Sequence, residues 1–282
     1  MRYIIDRCMA ALLLLFAVAG LARAQYQSDT LKTEQQQFPW PKDKRCAVSL
    51  TFDDARLTQI DKGIPLLNKY GVKATFYISP NKALERLDGW KKAIDEGHEI
   101  GNHSMTHPCT GSYPFSRNNA LENYTLDKIA ADISQADTFI QKNLGIKAKS
   151  FAYPCGQKFV GRGKDLKTYI PLVADRFFSA RGWLGENSND PLICDMSQLL
   201  AMESDGKTFE ELKSLVEKTA AAGRWLILAG HEMDAAGRQT TRLSSLDSLC
   251  HYARDPKNGI WIDTVTKIAE YIHEQRKYNN EL

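Results

Sequence analysis

The sequence predicts an α/β domain built on a mostly parallel sheet, either open or closed into a barrel. Two observations predict it. From Cys46 onward, short apolar runs of strand length alternate with amphipathic stretches of helical period, and no internal repeat or second long apolar run breaks the alternation. Sheets of this kind collect ligand sites at the carboxyl edge of their strands, so the residues just past each strand carry the functional interest.

The chain opens with Arg2 and Arg7, an apolar run over residues 10–21, and then Ala22-Arg23-Ala24. A short positive region, about a dozen apolar residues and a small-x-small site are expected as a secretory signal peptide, residues 1–24, with an uncleaved anchor as the alternative, since the run is short for a membrane span. Residues 25–45 are polar up to Phe38-Pro39-Trp40-Pro41 and are expected as an extended lead-in. The domain proper is expected over residues 46–276. Its first strand is the apolar run 46–52. A helix follows over about 59–70, with Pro65 counting against its interior. Then come a strand at 74–79, a helix at 84–96 and a strand at 99–102. Leu126, Ile129, Ile133, Ala136, Ile140 and Leu144 recur three and four residues apart, the buried stripe of one long helix. A strand at 150–153 precedes residues 156–205, rich in Gly, Asp and Asn and expected as loops over one face. Thr208 and Glu211 form a capping box that starts a helix ending near Gly223. The last expected strand is 225–230, and Val265, Ile268, Ala269 and Ile272 mark a final helix.

The formal net charge of +3 falls by two with the leader, which carries Arg2, Arg7 and Arg23 against Asp6. So small a balance gives no electrostatic case for nucleic acid or an anionic bilayer as partner. With the leader cleaved no membrane span remains, and the protein is expected in the periplasm or outside the cell. Export permits disulfides. Beyond the leader lie five cysteines, Cys46, Cys109, Cys155, Cys194 and Cys250, so at least one has no partner within the chain. No CxxC pair points to a thiolate zinc site.

Asp53 and Asp54 follow the first strand, and His103 and His107 follow the third. Four residues apart, two imidazoles can face one ion, although Pro108 limits any helix there to a single turn leading into a loop. Two histidines and one carboxylate form a three-ligand set that leaves positions open on a divalent ion, most simply Zn2+. The neighbouring carboxylate is then free to act as a base. A His pair or an Asp pair alone is commonly incidental. Both fall directly after strands here, and that favours a hydrolytic metal site.

These residues also carry a resemblance. Thr51-Phe52-Asp53-Asp54 and the later Lys69-Tyr70-Gly71-Val72-Lys73-Ala74-Thr75-Phe76 resemble the opening of the NodB-homology polysaccharide deacetylases. His103-Ser104-Met105-Thr106-His107 is similar to that family's second motif, Phe151-Ala152-Tyr153-Pro154-Cys155-Gly156 to its third, and Leu226-Ile227-Leu228-Ala229-Gly230-His231 to its last. The resemblance covers Cys46 to Ile272 and implies a single domain with a distorted (β/α) barrel. It implies that Asp54, His103 and His107 hold the metal and that Asp53 takes a proton from the attacking water. The backbone N–H of Cys155 would help stabilise the oxyanion, and His231 would protonate the departing amine or alcohol.

The chain departs from the family pattern in places. Ala55 stands where Gly commonly follows the paired aspartates, and Ala152 where many members carry an Arg that orients the base. Arg181, in Ser179-Ala180-Arg181-Gly182-Trp183, is a candidate to restore that charge from another loop, and Trp183 a candidate to stack on a sugar ring. Cys109 and Cys155, beside the second motif and within the third, are expected either as a disulfide bracing the site or as two inert thiols. The function implied is an exported, metal-dependent hydrolase that removes N- or O-linked acetyl groups from a carbohydrate polymer or oligosaccharide. The alternatives are a hydrolase of a non-sugar amide, and a carbohydrate-binding protein that keeps the scaffold without turnover. The full set Asp53, Asp54, His103, His107 and His231 argues against the binder.

Overall fold

The computed structural model describes residues 37–280, of which 39–280 fall in one compact unit. The expected signal peptide and most of the expected lead-in lie outside the described residues. Among those described, no helix is long and apolar enough to cross a membrane.

The organising strand is β1 (Cys46–Asp53), buried at every position. Together with β2 (Thr75–Ile78), β3 (Glu99–Asn102), β4 (Ser150–Ala152), β5 (Ser179–Arg181), β6 (Met202–Glu203), β7 (Trp225–Gly230) and β8 (Ile260–Ile262) it forms an eight-stranded sheet in the order β5-β4-β3-β2-β1-β7-β6. On one edge β1 pairs with β7. On the other, its first half pairs with β8 and its second half with β2. Every pairing is parallel. The chain entering β6 also bonds to β5: Leu199 N donates to Ala180 O and Gly182 N to Leu199 O, both at 2.9 Å. The two ends of the sheet are thereby brought together, and the sheet curls into the expected distorted (β/α) barrel.

Strand alternation sorts side chains between two environments. Val48, Leu50 and Phe52 of β1 join the hydrophobic core. Ser49, Thr51 and Asp53, one residue out of phase, are buried polar groups, and Ser49 Oγ accepts from Trp225 Nε1 at 3.1 Å. The helix Leu126–Leu144 buries the stripe Ile129, Ile133, Ala136, Ile140 and Leu144; Thr125 caps its start and Gly145, at φ +73°, ends it. Burying each large aliphatic of that stripe is worth about 1.5–3 kcal/mol, more than helix propensity supplies, so packing fixes this helix. Thr208 and Glu211 make the expected capping box on the helix Phe209–Ala221.

The main correction concerns residues 156–205. They are not only loops, since they supply β5 and β6, strands of three and two residues. Strands that short have no measurable period, so the sequence pattern misses them. The same holds for β8, and the helix Leu243–Arg254 was also not expected. The helix expected over 59–70 is present, and Pro65 is accommodated in it. The proline sits in the first turn of Ile64–Lys69, where a missing N–H costs nothing, after a π-helical turn at Gln59–Gly63. The expected helix over 84–96 begins as a 3-10 turn and is α-helical over Leu87–Asp95.

Candidate metal and catalytic site

The strands deliver their last residues, or those just past them, to one edge of the barrel. Asp53 ends β1, His103 follows β3, Arg181 ends β5, Asp205 lies just past β6, and His231 follows β7. Asp53, Asp54, His103, His107, Cys155, Trp183 and His231 line one cavity of about 700 Å³, within the range of ligand pockets.

Asp54, His103 and His107 meet. Asp54 Oδ1 lies 3.6 Å from His103 Nε2 and 3.5 Å from His107 Nε2, and the three donor atoms lie within 4.8 Å of one another. Ligand bonds of about 2 Å in tetrahedral geometry separate donors by roughly 3.3 Å, so the cluster fits a zinc-sized ion with little adjustment. The other ring nitrogen of His103 donates to the Ala152 carbonyl at 2.9 Å, which fixes the ring and leaves Nε2 as its candidate ligand atom. The second oxygen of Asp54 is taken by Arg56, at 2.9 Å from Nη2 and 3.3 Å from Nε, so only Oδ1 faces the histidines. Burial pushes the Asp54 carboxyl up, but the charges of His103, His107, His231 and Arg56 outweigh it and bring the pKa down to about 2. Burial, with the charge of His103, takes His107 down to about 4, so its ring is neutral and able to coordinate near pH 7.

His107 does not reach this place on a helical turn. Ser104 and His107 both hold positive φ, +63° and +50°. Asp132, from the long helix, accepts Met105 N at 2.8 Å, Thr106 N at 3.2 Å and the Thr106 hydroxyl. His107 N donates to Ser104 Oγ at 3.1 Å. The turn is thus specified by its own hydrogen bonds. Asp54 and Ala55 are left-handed as well, at φ +72° and +53°. That explains the usual Gly after the paired aspartates: a left-handed Ala costs roughly 1–2 kcal/mol.

Asp53 stays outside the triplet, its Oδ2 3.8 Å from His103 Nε2. Its other oxygen accepts from Arg181 Nη2 in a fully buried ion pair. The guanidinium also donates to the Gly182 carbonyl at 3.2 Å and stacks 4.6 Å from the Tyr77 ring. The charge missing at Ala152 therefore arrives from the next strand of the sheet. His231 Nδ1 lies 2.7 Å from Asp205 Oδ2, and Asp205 also accepts from His231 N and Thr241 Oγ1. That pairing leaves Nε2 for a reacting group. Burial lowers the His231 pKa, but the Asp205 hydrogen bond and the charges of Asp53 and Asp54 prevail, and it stands above the ordinary histidine value. Trp183 packs edge-on to His231, centroids 4.9 Å apart.

Cys109 and Cys155 form a disulfide that joins the second-motif loop to the third-motif turn. Cys155 holds φ +52° inside the turn Pro154–Gly156, and Gly156 N donates to Tyr153 O at 2.8 Å. Cys46, Cys194 and Cys250 are free, the first and last of them buried. Sequence reasoning missed Arg56, Asp205 and Gln59. Gln59 Nε2 donates to the carbonyls of Asp53 and His231, at 2.7 and 2.8 Å, and so ties two of the strand ends together. Arg56 had a signal, its place two residues past Asp54. Asp205 and Gln59 had none.

Three comparisons bear on this arrangement. The sequence model of the polysaccharide deacetylase family matches residues 41–165. Protein YlxY of Bacillus subtilis, which is uncharacterised, is 33% identical over 97 residues, covering 34% of this chain and 27% of that protein. The peptidoglycan-N-acetylglucosamine deacetylase PgdA of Listeria monocytogenes is 34% identical over 62 residues, 22% of this chain and 13% of its own. The matched stretch thus spans about a quarter or less of either relative. The fold is shared with a protein assigned as a polysaccharide deacetylase from Mycobacterium smegmatis, at TM-score 0.61 and 16% identity, over 85% of this chain and 94% of that one.

Proposed function

We propose that the chain is a member of the polysaccharide deacetylase family, whose sequence model matches residues 41–165, and that it is an exported hydrolase removing N- or O-linked acetyl groups from a glycan, with Asp54, His103 and His107 holding a divalent ion, most simply zinc. The observation that carries this is the convergence of those three donor atoms beside a carboxylate, Asp53, that an arginine holds apart from them. When bound, such an ion polarises an acetyl carbonyl and acidifies water.

The chain's own residues do the rest. Asp53, anchored through one oxygen by Arg181, keeps its other oxygen free and takes a proton from the attacking water. The backbone N–H of Cys155 donates to the oxygen that becomes negative as the acetyl carbon turns tetrahedral. His231, held through Nδ1 by Asp205, gives its proton to the leaving nitrogen or oxygen of the sugar. A raised His231 pKa suits that duty, since the proton must be present at the start of each turnover. Arg181 and Asp205 position groups and do not touch substrate.

The test is acetate release from chitooligosaccharides, acetylated xylan and peptidoglycan fragments, after chelation and again after zinc is restored. Release from at least one of these, lost with chelator and regained with zinc, is expected. Stoichiometric zinc binding with no release from any acetylated sugar would leave the scaffold as a binder and end the hydrolase proposal.

A further inference from the structure

We propose that Cys109 Sγ, Cys155 Sγ and Nδ1 of His107 form a second metal site, closed while the two cysteines are bridged and opened by a dithiol, and that an ion held there takes His107 away from Asp54 and His103. The site stands apart from the hydrolase proposal above; its effect on rate rests on that proposal. The three donor atoms lie within 4.8 Å of one another. Cys109 Sγ is 3.7 Å from His107 Nδ1, the ring nitrogen that does not face Asp54; Nε2 is the one 3.5 Å from Asp54 Oδ1. Bonds of about 2.3 Å to sulfur and about 2.0 Å to nitrogen, in tetrahedral geometry, separate such donors by roughly 3.5 Å. Two thiolates and an imidazole are a donor set for zinc or copper(I). The cysteines are 46 residues apart in the chain, so no close spacing announces the set.

The backbone holds this arrangement without the bridge. Ser116, fully buried, accepts from Cys109 N at 2.9 Å and donates to Cys109 O at 2.8 Å. Thr110 N donates to Gln157 Oε1 at 2.7 Å, which ties the loop of Cys109 to the turn of Cys155. Gln157 N donates to Pro154 O at 3.0 Å and closes that turn. With Cα atoms 6.0 Å apart, the two sulfurs can part by side-chain rotation while the chain stays in place. Cys155 and His107 line the site cavity, so a small dithiol reaches the bridge from solvent. One of its thiolates attacks Cys155 Sγ and releases Cys109 as the thiolate. Its second thiol then displaces Cys155, so the dithiol leaves as a cyclic disulfide and its two electrons stay on the cysteines. An ion binding the pair releases whichever protons the thiols still carry. A neutral imidazole has one lone-pair nitrogen and one N–H. His107 therefore serves one ion at a time: through Nε2 beside Asp54 when the cysteines are bridged, and through Nδ1 beside the sulfurs when they are free.

The full chain, stripped of metal by chelator, is tested with its bridge intact and after treatment with dithiothreitol, the dithiol being removed under argon before metal is added. One equivalent of cobalt(II) is the probe, because thiolate ligands give it an intense near-ultraviolet charge-transfer band. The oxidised protein should bind cobalt without that band and the reduced protein with it. His103→Ala should remove cobalt binding from the oxidised protein and leave the band of the reduced one. His107→Ala should weaken cobalt binding by the reduced protein at least about tenfold, since a lost ligand costs no less than the loss of a ligand's hydrogen-bonding partner. Replacing both cysteines by serine should abolish the band. The proposal is overturned if the reduced protein, folded or not, shows no band, if the band survives the double serine substitution, or if His107→Ala binds as wild type does. The rate is read with one equivalent of zinc. A sulfur site preferred about tenfold holds roughly nine-tenths of that ion, so acetate release should fall about tenfold on reduction and return on reoxidation. The double serine variant should be indifferent to the dithiol. An unchanged rate beside a clear band would overturn the competition for His107. Cobalt binding needs no turnover, so the two proposals separate. A band in a protein that releases no acetate keeps this inference and removes the hydrolase. Acetate release without a band does the reverse.

Discussion

The two halves of the site are built by different means. Asp53, Asp54, His103 and His107 sit at the ends of β1 and β3, and each pair is contiguous or nearly so. Arg181 and Asp205 come from the stretch 179–205, where the strands are three and two residues long. The turns of the first half are specified locally, by hydrogen bonds within a few residues or to one neighbouring helix, and the His103 ring is held in addition by the end of β4. The second is brought together by the closure of the sheet: Arg181 meets Asp53 because β5 and β1 belong to the same barrel. The groups that would hold a metal thus lie on locally specified turns, and those that would position the proposed acid and base are long-range.

If that division is functional, the ligand half should fail completely and the positioning half by degrees. His103→Ala is expected to lose bound zinc and acetate release together, read by elemental analysis and the acetate assay. Retained stoichiometric zinc would point to another ligand set. Asp53→Asn should keep the metal and lose on the order of 10²–10⁴-fold in rate, the range for one general base. Activity near wild type would mean that another group takes the proton.

Arg181→Met tests the long-range half where it is most deeply buried. Removing one partner of a buried ion pair leaves a charge without compensation and typically costs about 3–5 kcal/mol. Arg181 is wholly buried, so little solvent screening reduces that figure. A lower thermal midpoint is expected, with kcat reduced about 10–100-fold and zinc retained, as for a group acting through another. Wild-type kcat in the folded variant would show that Asp53 needs no orienting charge.

Asp205→Asn probes the other positioning pair through pH. In the proposed reaction His231 is the proton donor, so the rate should fall as pH rises through its raised pKa. Asp205 contributes to that rise, and replacing it by a neutral isostere lowers the His231 value. The alkaline limb of the kcat profile should move to lower pH, with a smaller loss of rate at acid pH where His231 stays protonated. An unmoved limb would assign the alkaline ionisation to another group.

The same division explains how far the sequence could be read. The five expected strands, the long helix and the capping box carry signals within a window of one element, and each lies within a residue or so of where its pattern placed it. The three donor residues were legible because their types and spacing carry the chemistry. Arg181 was legible only as a charge in search of a partner, through the gap left at Ala152. Asp205 was invisible: an aspartate in a Gly- and Asp-rich stretch looks like any turn residue until β6 places it under His231. His107 shows the converse error. Its four-residue spacing suggests a helical turn, but Pro108 and the bonds to Asp132 favour a left-handed turn that presents the ring just as well.

The disulfide should give the smallest effect on rate, and the reason is redundancy. The Cys109–Cys155 bridge joins the loop of His107 to the turn of Cys155, and Cys109 Sγ lies 3.7 Å from His107 Nδ1. Yet Asp132 already holds Met105 and Thr106, and Ser116 holds the backbone of Cys109 on both sides. The bridge therefore restricts the unfolded chain more than it places the ligand. Replacing both cysteines by serine should cost about 2–4 kcal/mol of stability, as for a typical native bridge. With zinc present, the rate should fall by less than about tenfold, short of the 10–100-fold usual for a metal ligand's hydrogen-bonding partner. A drop beyond 100-fold at full zinc occupancy would overturn that expectation. The turn at Cys155 would then depend on its covalent link for the aim of its amide, and the local half of the site would extend one motif further than its hydrogen bonds suggest.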